Sequence, residues 1–297
     1  MALNQDMEPI SKIRTLSYKD FSITKCLDVD EDIPQFYLAT DAITNQQVIL
    51  KKLKRTNEEI LQKQLTELEN TQKIDFKYLV KIIGYFEAQS DYYLVLEYCS
   101  NGCLKDFANK LKIEKQNANE KMCYLHSTNN IHGSIQSSNI LLTTENDVRL
   151  SCLWDYKMSK HLQDYPERGF KTLNYYSPER FLENQISQIS DIWGIGISIN
   201  ELLTQKVPFD GSNNEVVEQN IIDPDIKPTS IPKNYSDKLR ETVEAMIIKD
   251  KNFRINIGNL VKIPEINVRI KEYAQNMIEE SKDNVKEYLN KILTDSL

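Results

Sequence analysis

No stretch of about 18 apolar residues runs through this chain, so the sequence offers no membrane-spanning helix of ordinary length. Its opening, MALNQDMEPI, is polar and acidic where a secretory leader is basic and then apolar. Positive charge is in deficit as well: 37 Lys and Arg stand against 44 Asp and Glu, a formal net charge of -7. Broad binding to a nucleic-acid backbone or an anionic membrane is therefore not expected. The local cluster Lys51, Lys52, Lys54 and Arg55 reads as a solvated strand end. Paired cysteines are missing too. Cys26, Cys99, Cys103, Cys123 and Cys152 form no C-x-x-C and have no histidine at metal-ligand spacing, which argues against a zinc site or a disulfide framework. Reduced thiols and the missing leader point to the cytoplasm, with the nucleus left open.

What is present suits a globular protein: 297 residues, 40% hydrophobic and 27% charged, enough to bury a substantial core. The first third reads as strands over Phe21 to Leu27, Gln35 to Thr40 and Gln47 to Leu53, and Asp91 to Tyr98 is again rich in β-formers. Between them, Ile60, Leu61, Leu65 and Leu68 recur at helical spacing within residues 58–74. Beyond Ser100 helical signals dominate, notably Gln188 to Leu203 and Tyr235 to Ile248. The expected class is α+β, with a small antiparallel β-rich lobe containing one helix and a larger, mainly helical lobe. The boundaries read as an extension at 1–20, the first lobe at 21–98, the second at 99–263 and an amphipathic helix at 264–297. That last helix either docks on its own domain or serves association.

The chemistry-bearing stretch is IHGSIQSSNILL, from Ile131 to Leu142. His132 followed seven positions later by Asn139 is the frame of the loop H-R-D-L-x-x-x-N, with Gly133 in place of the Arg and Ser134 in place of the Asp. Other motifs stand in order around it. Val48 to Lys51 resembles V-A-I-K, Glu67 is placed to pair with that lysine, and Tyr93 to Cys99 resembles a fifth strand and hinge with Leu96 as gatekeeper. Thr172 to Glu179 ends in Ser177-Pro178-Glu179 for A-P-E; Asp191 to Gly196 resembles D-x-W-S-x-G; Arg254 is placed to pair with Glu179. Together these resemble the protein kinase superfamily over about residues 21–263, with a lean toward its tyrosine-kinase-like branch. The resemblance implies the bilobal kinase fold. It further implies structural roles for His132, Asp191, Glu179 and Arg254, and a vestigial nucleotide-facing role for Lys51, Glu67 and Asn139.

Several parts of the family's machinery are altered. The Gly-rich segment over the phosphates should follow Leu27, yet Asp28 to Gln35, DVDEDIPQ, contains no glycine and four acids. Each acid facing a phosphate charge at roughly 6 Å costs on the order of 3 kcal/mol at an effective dielectric of about 20, before screening. Phe36 and Ile49 enlarge two positions that roof the adenine, and overpacking commonly costs about 1–3 kcal/mol. Ser134 is neutral where the base should be. Gly133 removes the Arg that answers a phosphorylated activation segment. The Asp-Phe-Gly equivalent has two registers. Counting from Asn139 gives Cys152-Leu153-Trp154, which leaves the strand Val148 to Ser151 undistorted and is preferred; likeness gives Asp155-Tyr156-Lys157 with three extra residues. Only in the second would Asp155 and Asn139 share a metal. The interval from Leu104 to Tyr124 is also short for the family's αD and αE helices.

The reading is therefore a pseudokinase with no catalytic residue, and no metal or cofactor is expected. It would serve as a scaffold or allosteric partner for another signalling protein, a kinase, with no nucleic acid and no membrane span. Two alternatives stand beside it. One is a weakly active kinase using ATP and Mg²⁺ on Ser, Thr or Tyr. The other is a kinase-like module that self-associates through its C-terminal helix.

Overall fold

The computed structural model describes residues 16–28, 36–53, 62, 65–66, 68–71, 79–89, 91–104, 131–144, 148–151, 173–278 and 290. The chain divides into two compact units, residues 1–61 with 80–98, and residues 62–79 with 99–297. Among the described residues no helix is long and apolar enough to cross a membrane.

The first unit is built on five antiparallel strands: β1 (Phe21–Asp28), β2 (Phe36–Asp41), β3 (Gln47–Leu53), β4 (Ile82–Ala88) and β5 (Asp91–Glu97), in spatial order β1-β2-β3-β5-β4. Side chains alternate between faces along each strand. One face gathers Leu16, Phe21, Ala39, Val48, Leu50, Phe86 and Val95 into a core. Phe86 stacks on Phe21 and on Tyr93, both with centroids 5.3 Å apart. Such pairs add roughly 0.5–1.5 kcal/mol beyond the area they bury. On the other face two cross-strand rows form, Phe36 beside Lys51 beside Leu94, and Leu38 beside Ile49 beside Leu96.

Strand β4 went unread in the sequence. Its apolar residues Ile82, Ile83, Tyr85 and Phe86 fall on both parities, so no period-two signal arises, and pairing with β5 is what makes it a strand. The expected helix over residues 58–74 is helical at 62, 65–66 and 68–71, and its other residues lie outside the described set.

The second unit holds the hairpin β6 (Ile140–Leu142) and β7 (Val148–Leu150), followed by helices α1 (Pro178–Glu183), α2 (Gln188–Thr204), α3 (Asn214–Ile222), α4 (Asp237–Met246), α5 (Ile257–Leu260) and α6 (Pro264–Ile278). Local chemistry sets their ends. Asn213 accepts from Val216 N at 2.9 Å and Ser236 from Leu239 N at 3.3 Å, each quieting an orphan donor. Helix α2 closes in left-handed Gln205.

Helix α2 is the central element because every one of its residues is buried or half-buried. Ile192 and Ile195 enter one core with Ile135, Ile140, Leu150 and Met246. Trp193 and Ile197 enter another with Leu173, Tyr175, Phe209 and Val243. Helix α6 docks on its own unit: Ile270 is buried and Ile266 packs against the first of these cores. The amphipathic helix expected to run to residue 297 is described to Ile278 and again at Asn290, and the rest lies outside the described residues. Helix α3 was also unread, since it offers only Val217 and Ile221 as buried residues at helical spacing.

Candidate functional site

The loop from Ile131 to Asn139 is set by backbone bonds to one carboxylate. Asp191, in the first turn of α2, accepts from His132 N and Gly133 N at 2.8 Å each. Charge-assisted bonds of this kind exceed neutral ones, and each oxygen takes one of them from the loop. Gly133 has φ 69°, a conformation that disfavours any side chain, so the residue standing for Arg is well matched to the backbone it must adopt. Helix α2 lies so close beneath that a Cβ on Gly194 would sit 2.8 Å from the Ile135 carbonyl oxygen.

Within that frame, Ser134 N donates to His132 Nδ1 at 3.3 Å, and the Asn139 amide donates to Ser134 O at 2.8 Å and Ser134 Oγ at 3.2 Å. His132, Gly133, Ser134, Asn139 and Asp191 are thus brought together as one hydrogen-bonded body. The position at its centre carries a half-buried hydroxyl and no carboxylate.

A second group braces the segment that follows. Arg254 Nη1 and Nη2 bind Glu179 Oε1 and Oε2 at 2.8 and 2.9 Å, with the side chains 0% and 2% exposed. The remaining guanidinium hydrogens go to the carbonyls of Ile248, Ile189 and Lys249, so all five donors are used. Ser190 Oγ adds a bond to Glu179 Oε1 at 2.8 Å. Burial pushes the Glu179 carboxyl up, but the hydrogen bonds and charge of Arg254, with Ser190, outweigh it and hold the group below the usual carboxylate range.

A third group had no sequence signal. Ser137 Oγ donates to Glu201 Oε2 at 2.7 Å and lies 2.8 Å from Tyr175 OH, which also donates to Glu201. Burial raises the Tyr175 hydroxyl far above its ordinary pKa, and the Glu201 charge adds to the rise. These residues are 26 to 64 positions apart, and neither composition nor periodicity links them.

In the first unit Lys51 is fully buried in β3. Its cross-strand neighbour is Phe36, and the Lys51 ammonium sits 5.0 Å from the centroid of that ring. A desolvated ammonium over an aromatic face gains about 2 kcal/mol, so Phe36 is one of the partners that make the burial tolerable. The sequence reading gave Phe36 only bulk, and its role toward Lys51 is an addition. Ile49 and Leu96 sit side by side in the adjacent row, both buried or half-buried. Glu67, Cys152, Asp155, the acidic segment after Asp28 and the short interval after Leu104 lie outside the described residues.

Among the described residues no group of three His, Cys, Asp or Glu is placed to hold a metal. Magnesium takes hard oxygens, usually including one or two carboxylates. Residues 131–144 contain no acid, and Asn139 offers a single neutral amide oxygen. The described part of the loop therefore does not fit Mg²⁺ by itself.

Known proteins resemble this chain over most of its length. It is 29% identical over 215 residues to a probable leucine-rich repeat receptor-like protein kinase of Arabidopsis thaliana, covering 66% of this chain and 21% of that protein. It is 26% identical over 272 residues to Aurora kinase C of Mus musculus, covering 87% and 96%. It is 24% identical over 259 residues to an Aurora kinase of Dictyostelium discoideum, covering 83% and 66%. The chain thus spans about a fifth of the receptor-like relative and nearly all of the mouse one. The family model described as protein kinase domain matches residues 33–265, and the chain belongs to the protein kinase domain family.

Proposed function

We propose that this domain does not transfer phosphate and acts as a pseudokinase, a scaffold or allosteric partner bound by another signalling protein, itself a kinase. The observation that carries the reading is Ser134. The loop is held by Asp191, His132 and Asn139 around a hydroxyl that, among the described residues, is bonded by the Asn139 amide and by no base, and such a hydroxyl does not accept a proton near neutral pH. General-base assistance of about 10²- to 10⁴-fold is lost with the carboxylate. Two further observations support it: the buried ammonium of Lys51 is engaged by Phe36, and residues 131–144 hold no acid for a metal. Neither ATP nor Mg²⁺ is required for the role proposed.

A second reading, a weakly active ATP-dependent protein kinase, is favoured by Lys51 and Asn139, both present where the family's motifs put them. One experiment separates the two. Purified full chain, incubated with Mg²⁺ and labelled ATP, alone and with generic protein substrates, is expected to incorporate no more phosphate than its Lys51→Ala variant. Incorporation that Lys51→Ala abolishes would establish the enzyme and end the scaffold reading.

A further inference from the structure

Residues 16–20 precede the first strand, and they are built into the first unit as a strap across its sheet. Leu16 is 7% exposed and packs in one core with Phe21, Leu50 and Phe86. Gly84 in β4 makes its seat, since a Cβ there would lie 2.6 Å from Leu16 Cδ1. The chain then turns. Asp20 N donates to Ser17 O at 3.0 Å, Ser17 N donates to Asp20 Oδ2 at 2.9 Å, and Ala42 N donates to Asp20 O at 2.8 Å, which fixes the turn at the head of β1. Tyr18 rests on the same face of the sheet, its ring centroid 6.4 Å from that of Phe86 and 6.3 Å from that of Tyr93.

Between these two docked side chains Ser17 stands exposed. In the sequence Lys12 lies five positions before it, Arg14 three positions before it and the aromatic Tyr18 directly after it, and no acid falls between Lys12 and Tyr18. Such a run stands out in a chain of net charge -7. Kinases select their substrates by charge pattern, and a guanidinium fork with a second cation at a fixed offset gives the carboxylates of a partner's peptide groove two groups to pair. A groove of that kind takes the peptide extended, with the neighbours of the acceptor serine released. Leu16 and Tyr18 are those neighbours, so Ser17 enters it only after Leu16 leaves its seat on Gly84. Local openings of a short segment held by few apolar contacts cost far less than global unfolding.

We propose that Ser17 is a phosphorylation site for a separate serine kinase that reads Lys12 and Arg14, and that docking of Leu16 gates the reaction. Ser17 Oγ attacks the γ-phosphorus of ATP held by that kinase, the bond to the β,γ-bridging oxygen breaks, ADP leaves, and the hydroxyl proton passes to that kinase's own base. The docked strap lowers the apparent affinity of the site by the fraction of molecules in which it is open. The site lies in the first unit and its phosphate comes from another protein, so it stands apart from the chemistry of the loop at 131–139.

The test incubates the full chain with a purified serine kinase that requires Arg three residues before its acceptor, Mg²⁺ and labelled ATP, and locates the phosphate by mass spectrometry. Label is expected at Ser17, absent without the added kinase, lost in Ser17→Ala and reduced at least tenfold in Arg14→Gln. The gate is read from initial rates. A free peptide of residues 10–22 should be labelled at least tenfold faster than the natural chain, and Gly84→Ala, which crowds Leu16 and leaves the motif intact, at least threefold faster. Leu16→Ala, measured against the peptide of its own sequence, carries the same expectation should Gly84→Ala not fold. Label only at other residues overturns the proposal. Label at Ser17 without the added kinase assigns the transfer to the chain itself and overturns the separate donor. Equal rates for peptide, natural chain and Gly84→Ala overturn the gate.

Discussion

Positions 134 and 179 both lie in the second unit, yet the chain treats them in opposite ways. At 179 a carboxylate is buried, doubly bonded to Arg254 and backed by Ser190, and every donor of its partner is used. At 134 the carboxylate the family motif calls for is a half-buried serine whose bonds run to its own loop neighbours. The difference is one of folding energetics. Removing half of a buried ion pair strands the other charge, whereas a half-exposed catalytic acid supports chemistry and little else. A domain loses the second kind of residue at little cost in stability, whereas losing the first costs about 3–5 kcal/mol.

The comparison is broken or sharpened by substitution. Arg254→Ala should have the largest effect, about 3–5 kcal/mol, and lower the melting temperature by roughly 10 °C or more. A fall of only a degree or two would show that the brace is dispensable. Gly194→Ala should come next, at about 1–3 kcal/mol, because the added methyl meets the Ile135 backbone and forces α2 and the loop apart. Thermal melts in which this variant is neutral would mean the loop yields freely.

Acid should act through the same pair. Glu179 titrates below its ordinary value of about 4.5, so the stability it confers is complete above that pH and is lost as pH falls through the depressed value. Melting midpoints between pH 6 and 2 should therefore fall more steeply below 4.5 in the natural chain than in Glu179→Gln. Parallel curves would remove the pair from the acid response. The smallest effect belongs to Ser134→Ala, within about 0.5 kcal/mol of the natural chain. A loss near that of Arg254→Ala would erase the contrast between the two positions.

Much of this contrast was readable in one dimension. His132, Ser134, Asn139, Glu179, Asp191 and Arg254 are identified by residue type and order, and the described structure joins them in two bonded groups. Strand β4 and helix α3 were not readable, because the apolar residues of β4 fall on both parities and α3 offers only the pair Val217 and Ile221. The Ser137, Tyr175 and Glu201 group was silent for another reason: polar residues far apart in sequence carry no local mark of meeting.

Residue chemistry at position 134 was settled by the amino-acid sequence alone, since a serine is no base at any orientation, and so was the overall deficit of positive charge. Which groups share a site was decided only by folding. The β2–β3 register set Phe36 against Lys51, and the close approach of α2 beneath the loop brought Asp191 to the backbone amides of His132 and Gly133. Charge and nucleophilicity belong to the side chain, whereas proximity and burial arise when distant segments pack, and no single stretch of chain encodes them.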